Sequence, residues 1–233
     1  MNKPLSPIIL ALDTPGLDTA RQWIESTNKV ISLYKTGLEF FLKHGEAGIK
    51  LLREAGDFDL FLDLKLHDIP NTVASATKAI ADINPRFLTV HASGGKDMVS
   101  AAVNAAPHID ITAVTILTSL SENDLGEIGY AHDALQAAVN LAKLSVCAGA
   151  RAIVCSPLEV SAIRNAVGDT PTIITPGVRP AGSDLGDQNR VMTPADAIAA
   201  GSTYLVIGRP ITSLIDPHLM LEKAREITGS IRT

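Results

Sequence analysis

Apolar residues recur along this chain in short runs, each bounded by turn residues and followed by a stretch with helical spacing. Eight runs of β character are legible: Ile8 to Asp13, Val30 to Gly37, Leu60 to Ile69, Arg86 to His91, Ile111 to Thr118, Arg151 to Ser156, Thr172 to Thr175 and Thr203 to Gly208. Their length and their Ile, Val, Leu and Thr content suit strands rather than helices. Between them lie helix candidates, among them Glu39 to Glu54, Asn71 to Ala81, Lys96 to Ala106, Asp133 to Ala148, Pro194 to Ala199 and Pro217 to Ile227. Asn71 or Thr72 after Pro70 marks one helix start and Thr193-Pro194 another, because a capping residue beside a proline suits a first turn. Gly56 is a predicted stop for the helix that ends near Glu54.

Eight β-α units in 233 residues predict an α/β fold of the (β/α)8 or TIM-barrel type. A doubly wound sheet would use fewer strands and carry a GxGxxG turn after the first. The first run instead ends in Ala11-Leu12-Asp13-Thr14-Pro15-Gly16. No Pro/Gly/Ser-rich linker interrupts the pattern, so residues 1–233 are predicted to form one domain.

Barrel strands are covered on both faces, and a charge inside one is costly unless paired. The third run nevertheless reads Phe61-Leu62-Asp63-Leu64-Lys65-Leu66-His67-Asp68-Ile69. In an extended strand Leu62, Leu64 and Leu66 share one face while Asp63, Lys65 and His67 share the other. An inward Lys35 on the neighbouring strand can then reach Asp63. Asp68 has the opposite parity. It is either a loop residue opening the next helix or a group that reaches into a partner subunit's site.

Active sites of such barrels gather at the C-terminal strand ends. Those ends carry Asp13, Lys35, Asp63 with Lys65, His91 with Ser93, Thr118 with Ser119, and Gly208 with Arg209. The seventh run leads into Pro176-Gly177-Val178-Arg179-Pro180 and then a polar loop containing Gln188. Loops after the last two strands commonly take phosphate in these barrels. Gly208 would let the backbone approach closely, and the Arg209 fork matches phosphate oxygens.

Metal chemistry finds little support. None of the six histidines forms a local HxH or HxxxH pair. His67 and His91 can meet across adjacent strand ends, but the second strand offers Tyr34-Lys35, and a lysine repels a divalent cation. Both histidines are predicted to make polar contacts instead, and no metal or cofactor is expected. Cys155 is predicted to be a small core residue, and Trp23, Phe40 and Phe41 to pack on the barrel.

Composition narrows the partners. Net charge is −5 with no Lys/Arg-rich block, which disfavours nucleic acid and anionic membranes. No apolar run reaches the ~20 residues of a membrane span. The start, Met1-Asn2-Lys3-Pro4-Leu5-Ser6-Pro7, does not read as a signal peptide. Two cysteines give no disulfide framework, so a reducing cytoplasmic setting is expected.

The run Asp63-Leu-Lys65-Leu-His-Asp68-Ile69-Pro70-Asn71-Thr72 resembles the DxKxxDIPNT signature of the orotidine 5′-phosphate decarboxylase family. The likeness extends to Ala11-Leu12-Asp13, Tyr34-Lys35-Thr36-Gly37, Val90-His91-Ala92-Ser93-Gly94-Gly95, Leu117-Thr118-Ser119, Thr175-Pro176-Gly177-Val178-Arg179-Pro180 and Gly208-Arg209-Pro210. DxKxxD alone is shared with sugar-phosphate decarboxylases of the same superfamily; Lys35 and the two late segments make the match specific. The resemblance implies a homodimer that converts orotidine 5′-phosphate to UMP without cofactor. It implies a charge array of Lys35, Asp63 and Lys65 completed by Asp68 of the other subunit. Asp13 and Lys35 are implied to hold ribose hydroxyls, with Thr72 reaching across the interface and Thr118 binding the pyrimidine. Arg179, Gln188, Gly208 and Arg209 are implied to meet the phosphate. A Mg²⁺-dependent sugar-phosphate enzyme would instead want an acidic ligand near Lys35, and a non-catalytic nucleotide-binding barrel would not need the whole array.

Overall fold

The computed structural model describes residues 6–180 and 192–231. Eight parallel strands close on themselves in sequence order. They are β1 (Ile8–Ala11), β2 (Leu33–Gly37), β3 (Asp59–Leu66), β4 (Phe87–His91), β5 (Asp110–Val114), β6 (Ala152–Val154), β7 (Thr172–Thr175) and β8 (Tyr204–Ile207). β1 pairs with β8 through Ile8–Leu205, Ile9–Val206 and Leu10–Ile207, which completes the ring. The helices around it are α1 (Leu17–Thr27), α2 (Leu38–Arg53), α3 (Pro70–Ala79), α4 (Gly95–Ala105), α5 (Glu122–Glu127), α6 (Ala134–Cys147), α7 (Val160–Val167), α8 (Pro194–Ala199), α9 (Arg209–Thr212) and α10 (Pro217–Ser230). The barrel expected from the alternating pattern is the fold observed.

Strand alternation builds two cores. Outward residues such as Ile8, Leu10, Tyr34, Leu60, Leu62, Leu88 and Ile173 pack with the helices in one large cluster. Inward residues Ile9, Leu33, Phe61, Phe87, Ala152, Ile174 and Tyr204 form a second cluster within the barrel. Its aromatic rings meet edge to face, Phe61 and Phe87 at 5.9 Å and Phe87 and Tyr204 at 6.0 Å between centroids, an arrangement favoured by ring quadrupoles. Arg86 closes the N-terminal end: its guanidinium lies 5.0 Å from the Phe87 ring and 5.3 Å from Tyr204, and it pairs with Asp59 at 2.8 Å. Two residues further along the same strands, on the same inward face, come Lys35, Asp63, Thr89, Val154, Pro176 and Val206. The aromatic layer is therefore the floor on which the polar layer stands.

Helix starts follow local chemistry. Thr193 caps α8 by accepting the Asp196 N–H, and Asp133 caps α6 by accepting that of Gln136 at 2.8 Å. α3 opens on Pro70 itself, with Ile69 as its cap position. α2 stops at Arg53, short of the predicted end, and Gly56 has no left-handed conformation. A different glycine in α2 matters: Gly45 (φ +57°) breaks the helix into two pieces. Trp23, Phe40 and Phe41 pack on the outer core as expected.

Several strands are shorter than the apolar runs. β1 stops two residues before Asp13, and β5 ends at Val114, so Asp13 and Thr118 lie on loops above the barrel. The last ladder bond of β5 is Thr115 N to Val154 O at 3.1 Å; beyond it the apolar run continues over the mouth. β3 departs most. Leu62 pairs with Leu88 but Leu66 pairs with Val90, so four steps of β3 oppose two of β4. Lys65 absorbs the excess in a left-handed conformation, φ +49°, which non-glycine residues seldom adopt. Simple alternation therefore holds through Asp63 and fails after it.

The barrel floor gives a direct test. Phe87 is fully buried between two rings, so Phe87→Ala should cost about 3–5 kcal/mol of unfolding free energy in a urea titration. A loss under about 1 kcal/mol would mean that the interior layer is not a packed core.

Candidate active site

At the C-terminal mouth, β1, β2 and β3 bring four charges into one alternating chain. Lys35 Nζ donates to Asp13 Oδ1 at 2.9 Å and lies 3.4 Å from Asp63 Oδ2. Lys65 Nζ donates to the other Asp63 oxygen, Oδ1, at 2.7 Å. Parallel pairing sets this up: Ala11 stands beside Lys35, Lys35 beside Phe61, and Gly37 beside Asp63. Gly37 adjoins the pair: a Cβ there would sit in ordinary contact, 3.5 Å from Lys35 Nζ and 3.8 Å from Asp13 Oδ1.

Exposure varies along the chain of charges. The side chains of Lys35 and Asp63 are each 11% exposed, against 31% for Lys65 and 67% for Asp13. Burial alone would raise the Asp63 carboxyl, but Lys35, Lys65 and the Thr89 hydroxyl outweigh it and hold the group below the usual carboxylate range. Burial alone would lower the Lys35 ammonium; Asp63 and Asp13 outweigh it and hold the group above its ordinary value. Asp63 and Lys35 thus stabilise each other's charged form.

Two cavities share Lys35, Asp63 and Lys65 in their walls. One, of about 190 Å³, is otherwise mostly apolar, with Phe61 below and Val114, Ile116, Leu117, Val154, Cys155, Pro176 and Val206 around it; Thr118 adds a hydroxyl. The other, of about 280 Å³, is lined by Asp13, Thr14, Gly37, Leu38, Glu39 and Phe40 along with Leu12. Lys65 thus stands between a mostly apolar slot and a compartment with more polar groups in its wall. This geometry suits a ring held on one side and hydroxyl-bearing groups on the other.

The remaining sequence-predicted residues fall outside this row of charges. Asp68, on the segment leading into α3, and Thr72, in the first turn of α3, are exposed, with Ile69 between them 66% exposed; Asp68 Oδ1 accepts the Ile69 N–H at 2.6 Å. Arg179, Gly208 and Arg209 follow the ends of the paired strands β7 and β8. Arg179 is buried, and its N–H donates to Met192 O at 3.1 Å beside a Val178–Met192 bridge. Gly177 turns that segment with φ +74°. A Cβ at Gly208 would meet only Ala11, at 3.5 Å or beyond, so packing inside the chain does not demand a glycine there. Gln188 lies outside the described residues. Ser93, in a 3-10 turn after β4, and Ser119, on the loop after β5, are exposed.

His67 and His91 do meet, as rings 5.3 Å apart between centroids. Burial first, then His67 and Lys65, push His91 below the ordinary imidazole value against the pull of Asp63. Among the described residues no group of three or more His, Cys, Asp or Glu is placed to hold a metal ion, and no helix is long and apolar enough to cross a membrane. Cys155 is buried as expected, and it also lines the apolar slot. Sequence reading missed Thr89. This fully buried residue donates to Asp63 Oδ1 at 3.0 Å and accepts the Lys65 backbone N–H at 2.8 Å. Its signal was available, for Thr89 shares parity with Phe87 and His91 on the strand next to Asp63.

Comparison with known proteins bears on the family of the whole chain. Residues 6–224 match the family described as orotidine 5′-phosphate decarboxylase / HUMPS. An orotidine 5′-phosphate decarboxylase of Thermobifida fusca (strain YX) is 54% identical over 212 residues, covering 91% of each chain. One from Moorella thermoacetica is 44% identical, covering 96% of this chain and 91% of that protein. The crystal structure of orotidine 5′-phosphate decarboxylase from Lactobacillus acidophilus superposes with a TM-score of 0.83 at 34% identity, covering 96% of this chain and 99% of the other. By match length, identity and fold alike, this chain belongs to the orotidine 5′-phosphate decarboxylase / HUMPS family.

Proposed function

We propose that this protein decarboxylates orotidine 5′-phosphate to UMP, the last step of pyrimidine nucleotide synthesis, without metal or cofactor and in the cytoplasm. The observation that carries the reading is the Lys35–Asp63–Lys65 chain of charges in the wall of an apolar slot. Loss of CO₂ leaves an electron pair on a ring carbon that delocalises it poorly. The reaction therefore needs a fixed positive charge at that carbon and a proton to deliver to it. Lys65 supplies both: its ammonium faces the slot, stabilises the developing carbanion, and then transfers a proton to it. Asp63 holds that ammonium in place at 2.7 Å and bears a charge of the same sign as the departing carboxylate. Preorganised charge is the main source of rate in this account.

The other residues divide the substrate between them. Thr118 meets the pyrimidine, and Asp13 with Lys35 takes the ribose hydroxyls. Arg179, Gln188, Gly208 and Arg209 take the phosphate, where the unforced glycine leaves backbone open to a ligand oxygen. Binding energy gathered there, away from the reacting carbon, is available to order the site around the substrate. Asp68 and Thr72 act in the neighbouring site of a homodimer. Their exposure beside Ile69 supports an interfacial role, and Asp68 completes the array from across the two-fold axis.

The direct test is the ultraviolet change on orotidine 5′-phosphate consumption, run with EDTA present. Turnover should persist there, while Lys65→Ala should lower kcat by at least about a thousandfold with an unchanged melting temperature. Substantial activity in that folded variant would remove Lys65 as proton donor. Arg209→Ala should raise KM about 10- to 100-fold, as loss of a charge-assisted contact requires; unchanged KM and kcat would refute the phosphate assignment. Mixing inactive Asp68→Ala and Lys65→Ala subunits should regenerate about a quarter of parental activity, since half the exchanged dimers carry one intact site. No recovery after proven subunit exchange would exclude a shared site.

A further inference from the structure

We propose that Thr89 is a positioning residue for the reaction: its single hydroxyl sets both the Asp63 carboxylate and the backbone from which Lys65 projects. The inference rests on the reading of Lys65 and Asp63 given above, and it assigns a role to a residue that lines neither cavity.

Three contacts close a ring. Thr89 Oγ1 donates to Asp63 Oδ1 at 3.0 Å. The same carboxylate oxygen accepts Lys65 Nζ at 2.7 Å. The backbone N–H of Lys65 donates back to Thr89 Oγ1 at 2.8 Å. The direction of each bond is fixed, because an ionised carboxylate can only accept and an amide N–H can only donate. The hydroxyl proton must therefore point at Asp63 while an oxygen lone pair receives Lys65. Only a hydroxyl does both; a methyl in its place does neither.

The distortion of β3 explains why such a group is needed. Between Leu62 and Leu66 the ladder to β4 slips, and the Lys65 N–H is turned onto a side chain rather than a β4 carbonyl. Lys65 is one of two described non-glycine residues with positive φ, a conformation that persists only where surroundings over-determine it. Thr89 is fully buried and stands on the regular stretch of β4, paired with Thr112 of β5. A rigid strand thus clamps an irregular one at the residue that carries the ammonium. The ammonium is located twice relative to Thr89, once through its own main chain and once through Asp63. Rate in such a site depends on charge held in place before the reaction, and a small displacement of the reacting group is expensive.

The test compares Thr89→Val, which keeps the shape and loses the hydroxyl, with Thr89→Ser, which keeps the hydroxyl. With orotidine 5′-phosphate, Thr89→Val should lower kcat about 10- to 100-fold with KM within about threefold of parent, and Thr89→Ser should stay within about threefold in both. Losing the donor to Asp63 should also move the acid limb of the kcat profile to higher pH in Thr89→Val alone, which a packing role would not do. Hydrogen exchange at the Lys65 amide should be slow in the parent and Thr89→Ser and fast in Thr89→Val. Parental kcat in Thr89→Val, or equal losses in the two variants, would overturn the proposal. Should Thr89→Val not fold, Thr89→Ala replaces it under the same criteria, and fast exchange of the Lys65 amide in the parent overturns the proposal without any variant. If the parent itself leaves orotidine 5′-phosphate unchanged, the functional reading fails, while amide exchange still decides whether Thr89 holds Lys65.

Discussion

A carboxylate buried between two ammoniums is the constraint on which the mouth of this barrel depends. Asp63 is 8% exposed, and an ion in that position is tolerated only when its oxygens are occupied. Here both are: Oδ1 receives Lys65 and Thr89, and Oδ2 faces Lys35. Lys35 in turn needs Asp13 to share its charge with the more exposed rim. The result is a row of alternating signs with no surplus in its buried middle. Its outer ends, Asp13 and Lys65, are the more exposed members.

That row stands on an apolar platform rather than in solvent. Phe61, Phe87 and Tyr204 fill the barrel below it, and Arg86 stoppers the far end. The same strands supply both layers, two residues apart. A strand residue that fails to pack in the floor therefore shifts a charged group above it. Close packing transmits such shifts because interiors have few voids in which to absorb them.

β3 is the irregular strand, and its irregularity falls at Lys65. In a regular strand Lys65 would share the inward face with Asp63. The slipped register and the left-handed Lys65 backbone turn it beside Asp63 and into the wall of the apolar slot. Irregularity of this kind carries a conformational cost, and Thr89 offsets part of it by satisfying the displaced N–H.

What the sequence settled by itself was whatever follows from period and local chemistry. Eight apolar runs alternating with helical spacing dictated a closed parallel barrel. Parity placed Lys35 and Asp63 on one inward face, where β2 and β3 do bring them together. The Thr193 cap was legible because a cap bonds within its own turn. Tertiary structure decided the rest, for reasons of distance along the chain. Thr118 and Asp13 left their strands because the ladder, not the apolar run, ends a strand. Alternation could not foresee the slip after Asp63, which exists only as a relation between β3 and β4. Parity put Thr89 on the inward face of its strand, but only folding set its hydroxyl between a carboxylate 26 residues away and an amide 24 residues away. Period is a property of one segment, whereas a buried hydrogen bond belongs to two, and only the closed barrel brings the second within reach.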